Sequence, residues 1–313
     1  MRALAVVATA GMFLVLVMGA TVTNTGSAQG CGQSWPLCNG RLVPEFTVAT
    51  AIEYSHRAVT GVEGVLVIAL ATGVARSAVR VPRASPEAWV LVALMVGFLL
   101  LQAGLGAWAV MAPQSPLVLA SHFGISLIAF ASVFLTAVHV FEQPRGTRTP
   151  QRATSNGYRR AVLGTTAYVL GVVYLGAYVR HTGASLACPD WPLCNGQLLP
   201  VLDAPTGVVF AHRAAALGAV ALLGWLTRWS WSLRLTSPEL AVASLGALGL
   251  AILQALSGAI VVWTRLGLFS TLGHAALVSL LFASLAFLVR RVLAAPASPA
   301  TARASRAAVA ARP

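Results

Sequence analysis

Four of the six histidines in this chain, His56, His122, His212 and His274, fall into two matched pairs. His56 and His212 are each followed by arginine, Arg57 and Arg213. Each also follows a loop with two cysteines and the string Trp-Pro-Leu-Cys-Asn-Gly: Cys31 and Cys38 in the first, Cys188 and Cys194 in the second. String and His-Arg pair recur 156 residues apart, so the stretch between them has kept its length. His122 and His274 recur at 152 residues, as do Leu101, Gln102, Ala103 and Gly106 with Leu253, Gln254, Ala255 and Gly258. Upstream, Thr25 and Gly26 match Thr182 and Gly183. The chain is a tandem duplication, and each copy owns two imidazoles, which can bind a metal, and two thiols, which can bridge. Glu53 adds a carboxylate on the helix face of His56, three residues away; Val209 stands at its place in the second copy. A carboxyl there could exchange protons or stabilise positive charge, or it could serve simply as the partner of Arg57.

The elements that must position these groups are membrane helices. Of 313 residues, 58% are hydrophobic and only 9% charged, too little charge for the surface of a soluble protein. Uncharged apolar runs long enough to span a bilayer occupy 3–22, 88–112, 117–141, 161–179, 240–264 and 266–289, and two further helices are expected near 50–75 and 206–227. The expected fold is all-α and integral to the membrane, with eight transmembrane helices in two pseudo-symmetric four-helix bundles. The halves are 1–145 and 159–292, joined by a cytoplasmic linker at 146–158 and followed by a disordered tail at 293–313. The first helix resembles a signal peptide, but its counterpart in the repeat is the internal fifth helix, so it is expected to stay.

All 21 basic residues are arginine. Arg76, Arg80 and Arg83 follow helix 2; Arg145, Arg148, Arg152, Arg159 and Arg160 lie between helices 4 and 5; Arg228 and Arg234 follow helix 6; Arg290, Arg291, Arg303, Arg306 and Arg312 sit at the carboxyl end. The opposite loops hold only Arg41, Arg180 and Arg265. By the positive-inside rule both termini face the cytoplasm and both cysteine loops face out of a bacterial cell membrane. The formal charge of +13 therefore reports topology, and no nucleic-acid partner is expected.

Outward loops are an oxidising place, so one disulfide per loop is expected, Cys31 with Cys38 and Cys188 with Cys194. Two readings stay open: a structural staple, or a short exposed bridge that is reduced during function. Zinc is disfavoured, since neither loop has a histidine at ligand spacing.

A single histidine in a membrane helix can serve merely to bond a neighbouring helix. Four at matched positions argue for more. Each lies five to eight residues past an outward loop, roughly 8–12 Å below the outer end of its helix at ~1.5 Å per residue. Two imidazoles facing each other across a four-helix bundle suit axial ligation of a haem iron. Gly104, Gly106 and Gly124, with Ser257, Gly258 and Gly273, would leave room for the macrocycle. Arg57 and Arg213 would bind haem propionates at the outer margin or, in the plainer alternative, snorkel to the headgroups.

With these residues in view the chain resembles the haem A synthase family. The likeness rests on eight helices in two halves, the Glu-x-x-His-Arg signature at Glu53, His56 and Arg57, the further histidines His122, His212 and His274, and the paired loop cysteines. It implies an oxidoreductase that converts the C8 methyl of haem O to the formyl group of haem A for terminal oxidases. It further implies substrate haem O between His56 and His122, with Glu53 catalytic, and a low-spin haem b, with its iron, between His212 and His274. Implied partners are haem O, membrane lipid, haem O synthase and the cytochrome oxidase assembly machinery, with a homo-oligomer left open. Two other classes remain: a bis-histidine b-type electron-transfer cytochrome, and a quinone-linked thiol-disulfide oxidoreductase.

Three residues fall outside that pattern. Glu63, seven residues after His56, is a second intramembrane acid, with Ala219 at its place in the other half; a proton path and a bond to a neighbouring helix are equally open to it. His139, ~25 Å along the helix from His122, is read as interfacial. His181, matched by Asn24, is read as a cap or hydrogen-bonding residue at the end of helix 5.

Overall fold

The computed structural model describes residues 1–80, 86–112, 115–142 and 154–294. Eight helices make up nearly all of it: α1 (Arg2–Asn24), α2 (Val48–Arg80), α3 (Pro86–Met111), α4 (Pro116–Glu142), α5 (Asn156–His181), α6 (Ala204–Ser232), α7 (Pro238–Trp263) and α8 (Leu268–Ala294). All eight are long and apolar enough to cross a bilayer, and large apolar side chains such as Val65, Leu100, Leu217 and Phe269 face outward along them. The chain is an all-α integral membrane protein. Among the described residues no strand forms, and each cysteine loop holds one isolated bridge.

α2, α5 and α6 are the helices whose length the sequence understates most. Charged and hydroxyl residues at their ends interrupt the apolar run without breaking the helix. Asp203 caps α6, its Oδ1 accepting from the Thr206 amide at 2.8 Å, with Pro205 in the first turn. α5 begins at Asn156, capped by Ser155, inside the stretch expected to be linker. The remaining linker residues at 146–153, the tail from 295 onward, and Arg83, Arg145, Arg148, Arg152, Arg303, Arg306 and Arg312 lie outside the described residues.

Neighbouring helices close two rings. α1 packs on α2, α2 on α3, α3 on α4 and α4 on α1; α5 to α8 close in the same order. Short connections join α2 to α3, α3 to α4, α6 to α7 and α7 to α8, while the cysteine loops, 25–47 and 182–203, join α1 to α2 and α5 to α6, so sequential helices lie side by side. The rings meet through α4 and α8, flanked by α1 against α8 and α4 against α5. α4 and α8 are accordingly the most buried helices, and their seam is rich in small residues, Ala129, Ala131, Ala137, Ala283 and Ala286. Lipid is as apolar as leucine, so helices in a membrane associate by close packing, which small residues allow. Ser132 and Thr136 on α4 and Ser279 on α8 return their hydroxyls to the carbonyl four residues back, which satisfies them without a partner helix.

Polar ties reinforce the contact between rings at both ends. At the loop end, Arg180 of α5 donates through Nε to Asn24 Oδ1 (3.0 Å) and through Nη2 to Thr23 O (3.2 Å) of α1. At the opposite end, where α1 begins and α8 ends, Arg290 of α8 bridges Glu87 of α3 (2.6 Å) and Glu142 of α4 (2.8 Å), while Arg291 holds Glu142 (2.5 Å). His139 is buried in this cluster with Nδ1 3.5 Å from Glu87. At the end of α4 it packs inside the protein against the polar cluster that joins the two rings.

Candidate functional site

The two cysteine loops are built alike. Each ends in a two-residue turn in which the Asn-Gly pair has positive φ, Asn39 and Gly40 at 52° and 74°, Asn195 and Gly196 at 53° and 75°. Asparagine and glycine tolerate that backbone best, and it lets Cys38 exchange both backbone hydrogen bonds with Arg41, and Cys194 with Gln197. Cys31 is bonded to Cys38 and Cys188 to Cys194. All four cysteines are buried, at most 2% exposed, so the bridges are not the exposed pairs that thiol exchange in solution would need. Asp190, at the place of Ser34, accepts from the amides of Gly196 and Asn195, both at 2.7 Å, and these hydrogen bonds hold its carboxyl below the usual aspartate range.

Each loop is clamped to the helix that follows it by the arginine beside the histidine. Arg57 Nη1 donates to Ser34 O and Leu37 O, both at 2.8 Å, and Arg213 Nη1 to Asp190 O (2.9 Å) and Leu193 O (2.7 Å). The second guanidinium nitrogen separates the halves. Arg213 Nη2 takes a third loop carbonyl, Cys188 O at 2.8 Å, whereas Arg57 Nη2 pairs with Glu53 Oε1 at 2.5 Å. Glu53 Oε2 in turn accepts from the Cys31 amide at 2.8 Å. Arg57 and Arg213 thus spend these hydrogens on loop carbonyls and, in the first half, on Glu53, so they do not snorkel away from the helix, and a propionate contact would use the guanidinium hydrogens that remain.

Beneath each loop the four histidines stand in the rings at one level. His56 is on α2 and His122 on α4, diagonal members of the first ring; His212 on α6 and His274 on α8 are their counterparts. The members of each pair lie within electrostatic range of one another. Between them round the ring come glycines. A Cβ on Gly19 of α1 would sit 3.4 Å from the His56 ring, and one on Gly106 of α3 3.2 Å from His122. In the second ring a Cβ on Gly176 of α5 would press to 2.6 Å from His212, and one on Gly258 of α7 would lie 3.4 Å from His274. Each ring therefore reads glycine, histidine, glycine, histidine. Gly19 and Gly176 escape the reading of the sequence, although they recur at the offset of Thr25 and Thr182, which is the signal that could have found them. Gly124 makes room for a different side chain, since Tyr174 of α5 fills the space against it. Gly104 and Gly273 meet nothing within 4 Å.

The histidines differ in how they are held. Ser257 Oγ donates to Gln254 O (2.8 Å), which commits its hydrogen, so at 2.8 Å from His274 Nδ1 it accepts that nitrogen's proton. The Gln254 amide lies 3.0 Å from His274 Nε2. The Ser257 contact puts the proton on Nδ1 and the lone pair on Nε2, the nitrogen a metal would take, and the Gln254 amide, also 3.2 Å from Nδ1, engages that lone pair in place of a metal. The first ring has Leu105 at the place of Ser257, and the buried Nδ1 atoms of His122 and His56 have no partner, nor does that of His212. His181, at the end of α5, comes within electrostatic range of His122 in the other ring. Among the described residues no group of three or more His, Cys, Asp or Glu side chains gathers to enclose an ion.

A family model named COX15-CtaA, described as cytochrome oxidase assembly protein, matches residues 2–286. The chain belongs to the COX15-CtaA family. Relatives described as haem A synthase reinforce the assignment. That of Halalkalibacterium halodurans is 41% identical over 282 residues, covering 89% of this chain and 92% of the relative. That of Symbiobacterium thermophilum is 40% identical over 299 residues, covering 92% and 94%, and that of Bacillus pumilus 42% over 294 residues, covering 92% and 93%. The COX15-CtaA match spans both rings and both cysteine loops, so the duplicated architecture as a whole lies within it.

Proposed function

We propose that this chain is a haem A synthase, which oxidises the C8 methyl of haem O to a formyl group and so supplies haem A to terminal oxidases. The observation that carries this reading is the pair of glycine-and-histidine rings, alike in frame and unlike in their acids. Diagonal imidazoles with glycine on either side fit a flat macrocycle ligated through both faces of its iron, and the orphaned ring nitrogens fit a site completed by a bound group.

The second ring, residues 159–292, suits a resident haem b between His212 and His274: Ser257 and Gln254 hold one ligand in its metal-binding tautomer, and no acid intrudes. When bound, that group supplies one-electron exchange through its iron. The first ring, residues 1–145, suits a haem that comes and goes. His56 and His122 orient haem O, their Nδ1 atoms being left without a fixing partner. Glu53, 3% exposed and on the His56 face, holds or moves a proton beside the reacting carbon, and Arg57 fixes the carboxylate in place. The buried disulfides and their arginine clamps roof both sites and limit the entry of water. In this proposal both termini are cytoplasmic and the roofs lie outside the cell membrane, with haem O synthase and oxidase assembly factors as partners.

A glycine prediction follows from the second ring. Gly176→Leu places a side chain where the His212 ring stands, and the expected result is a chain that still inserts but loses the second-ring haem signal. Absorption spectra of the purified variant check it, and an unaltered spectrum would separate Gly176 from the site. The function itself is tested by expressing the chain in cells that make haem O but no haem A and separating the extracted haems by chromatography. Haem A should appear. Its absence, with haem B alone retained by the purified protein, would leave the electron-transfer cytochrome.

A further inference from the structure

Glu63 is an acid that the mechanism above does not use. It stands mid-way along α2, is 3% exposed, and its Oε1 has no hydrogen-bond partner. Its carboxyl occupies the space left by Gly11 of α1, where any Cβ would collide with it. The same α1–α2 seam, nearer the loop end, carries His56 against Gly19. Seven residues on α2 and eight on α1 separate the two contacts, about 10–12 Å at ~1.5 Å per residue. Thr60 lies on the turn between them, its hydroxyl donating to His56 O at 2.7 Å.

The second ring reverses this arrangement. Tyr168 stands at the place of Gly11 and Ala219 at that of Glu63, and the Tyr168 hydroxyl donates to Ala215 O at 3.1 Å. Filling that seam therefore does not require an acid, and the ring that has one is the ring with Glu53. The helices packed on α2 offer Glu63 no nearby charge. The only ionisable side chain of α1 is Arg2 and that of α3 is Glu87, both at the helix ends far from the loops. On α2 itself the nearest in sequence are Arg57, six residues away and paired with Glu53, then His56 and Arg76, and across the ring α4 carries His122, His139 and Glu142, with His139 engaged by Glu87.

We propose that Glu63 is the proton-holding residue of the first-ring site, binding a proton when negative charge is added to a haem between His56 and His122 and releasing it when that charge is withdrawn. The inference rests on the reading of the first ring as a haem site. The chemistry would be one O–H bond made and broken: with a haem bound, the Glu63 carboxylate would take up a proton from bulk solvent when a one-electron donor reduced that haem, and would return the proton to solvent when an acceptor withdrew the electron. In a low-dielectric interior two charges still interact over the distance between Glu63 and His56. A buried acid there offsets the added electron. Such a group is a positioning residue for charge and does not touch the reacting carbon.

The test is a redox titration of the full-length, haem-loaded chain across the neutral pH range. The midpoint of the first-ring haem should fall as pH rises in the wild type, lose most of that slope in Glu63→Gln, and regain it in Glu63→Asp. The second-ring haem should be unaffected in all three. An unchanged slope in Glu63→Gln overturns the proposal. A second measurement needs neither variant nor haem: a hydrophobic carbodiimide, which reacts with protonated carboxyls inside membranes, should modify Glu63 of the wild-type chain less and less as pH is raised, read by mass mapping. Absence of that adduct, or labelling indifferent to pH, also overturns it. Failure of the wild-type chain to form haem A would refute the proposed function, whereas the carbodiimide result bears on Glu63 alone.

Discussion

Glu53→Gln is expected to cut haem A formation by ~100 to 10,000-fold, the usual cost of losing a positioned acid or base, while the second-ring haem stays in place. The difficulty with any such variant is that Glu53 also has a structural role, pairing with Arg57 and accepting from the Cys31 amide. Breaking a buried ion pair by removing one partner commonly costs ~3–5 kcal/mol, because the other charge is left alone. The second copy supplies the control. There Val209 replaces the acid, and Arg213 is satisfied entirely by the carbonyls of Asp190, Leu193 and Cys188. Cys31 O already accepts from the Asn39 amide and the Ser34 hydroxyl, both at 3.1 Å, so in Glu53→Val the Ser34 hydroxyl should turn away and let Arg57 Nη2 take its place, which keeps the loop clamp without the carboxylate. Both variants should then accumulate with an intact Cys31–Cys38 bridge, keep haem b, and leave haem O unconverted. The measurement is the ratio of haem A to haem O in extracts of expressing cells. A near wild-type ratio in either variant would reduce Glu53 to a structural partner of Arg57.

Replacing His212 or His274 by alanine or methionine should abolish the low-spin haem b spectrum of the purified protein, and with it haem A formation. For His274 the environment sharpens the expectation. Ser257 and Gln254 are arranged around that imidazole alone, so Ser257→Ala should weaken haem retention without removing the ligand; hydrogen-bond partners of a metal-bound histidine commonly contribute ~10 to 100-fold in affinity. Leu105 occupies the equivalent place near His122, so Leu105→Ala has no such bond to lose. A haem b signal that survives both His212→Ala and His274→Ala would remove it from the second ring.

Much of this molecule is legible before any coordinate. Charge scarcity and apolar runs fix a membrane protein of eight helices, because each span must satisfy its own backbone in lipid. The duplication aligns His56 with His212 and His122 with His274, and their equal distance from the loops sets their common depth. What sequence could not decide was direction and partner. An arginine beside a histidine in a membrane calls for compensation, and composition alone offers an outside anion. Only the folded loop reveals that backbone carbonyls of Ser34 and Leu37, twenty or more residues earlier, are turned toward Arg57. Glycines read along one helix suggest space beside that helix, whereas the space that matters lies between helices. Gly19 faces His56 and Gly176 faces His212 because α1 packs on α2, and α5 on α6, beneath the cysteine loops that join them. Depth alone places His139 at the interface, yet the meeting of the two rings buries it beside Glu87 and Arg290. Periodicity and spacing thus determined which residues share a level and a half. The closing of each ring and the packing of α4 against α8 decided what each of them meets, since contacts between distant segments are set by which helix faces pack together.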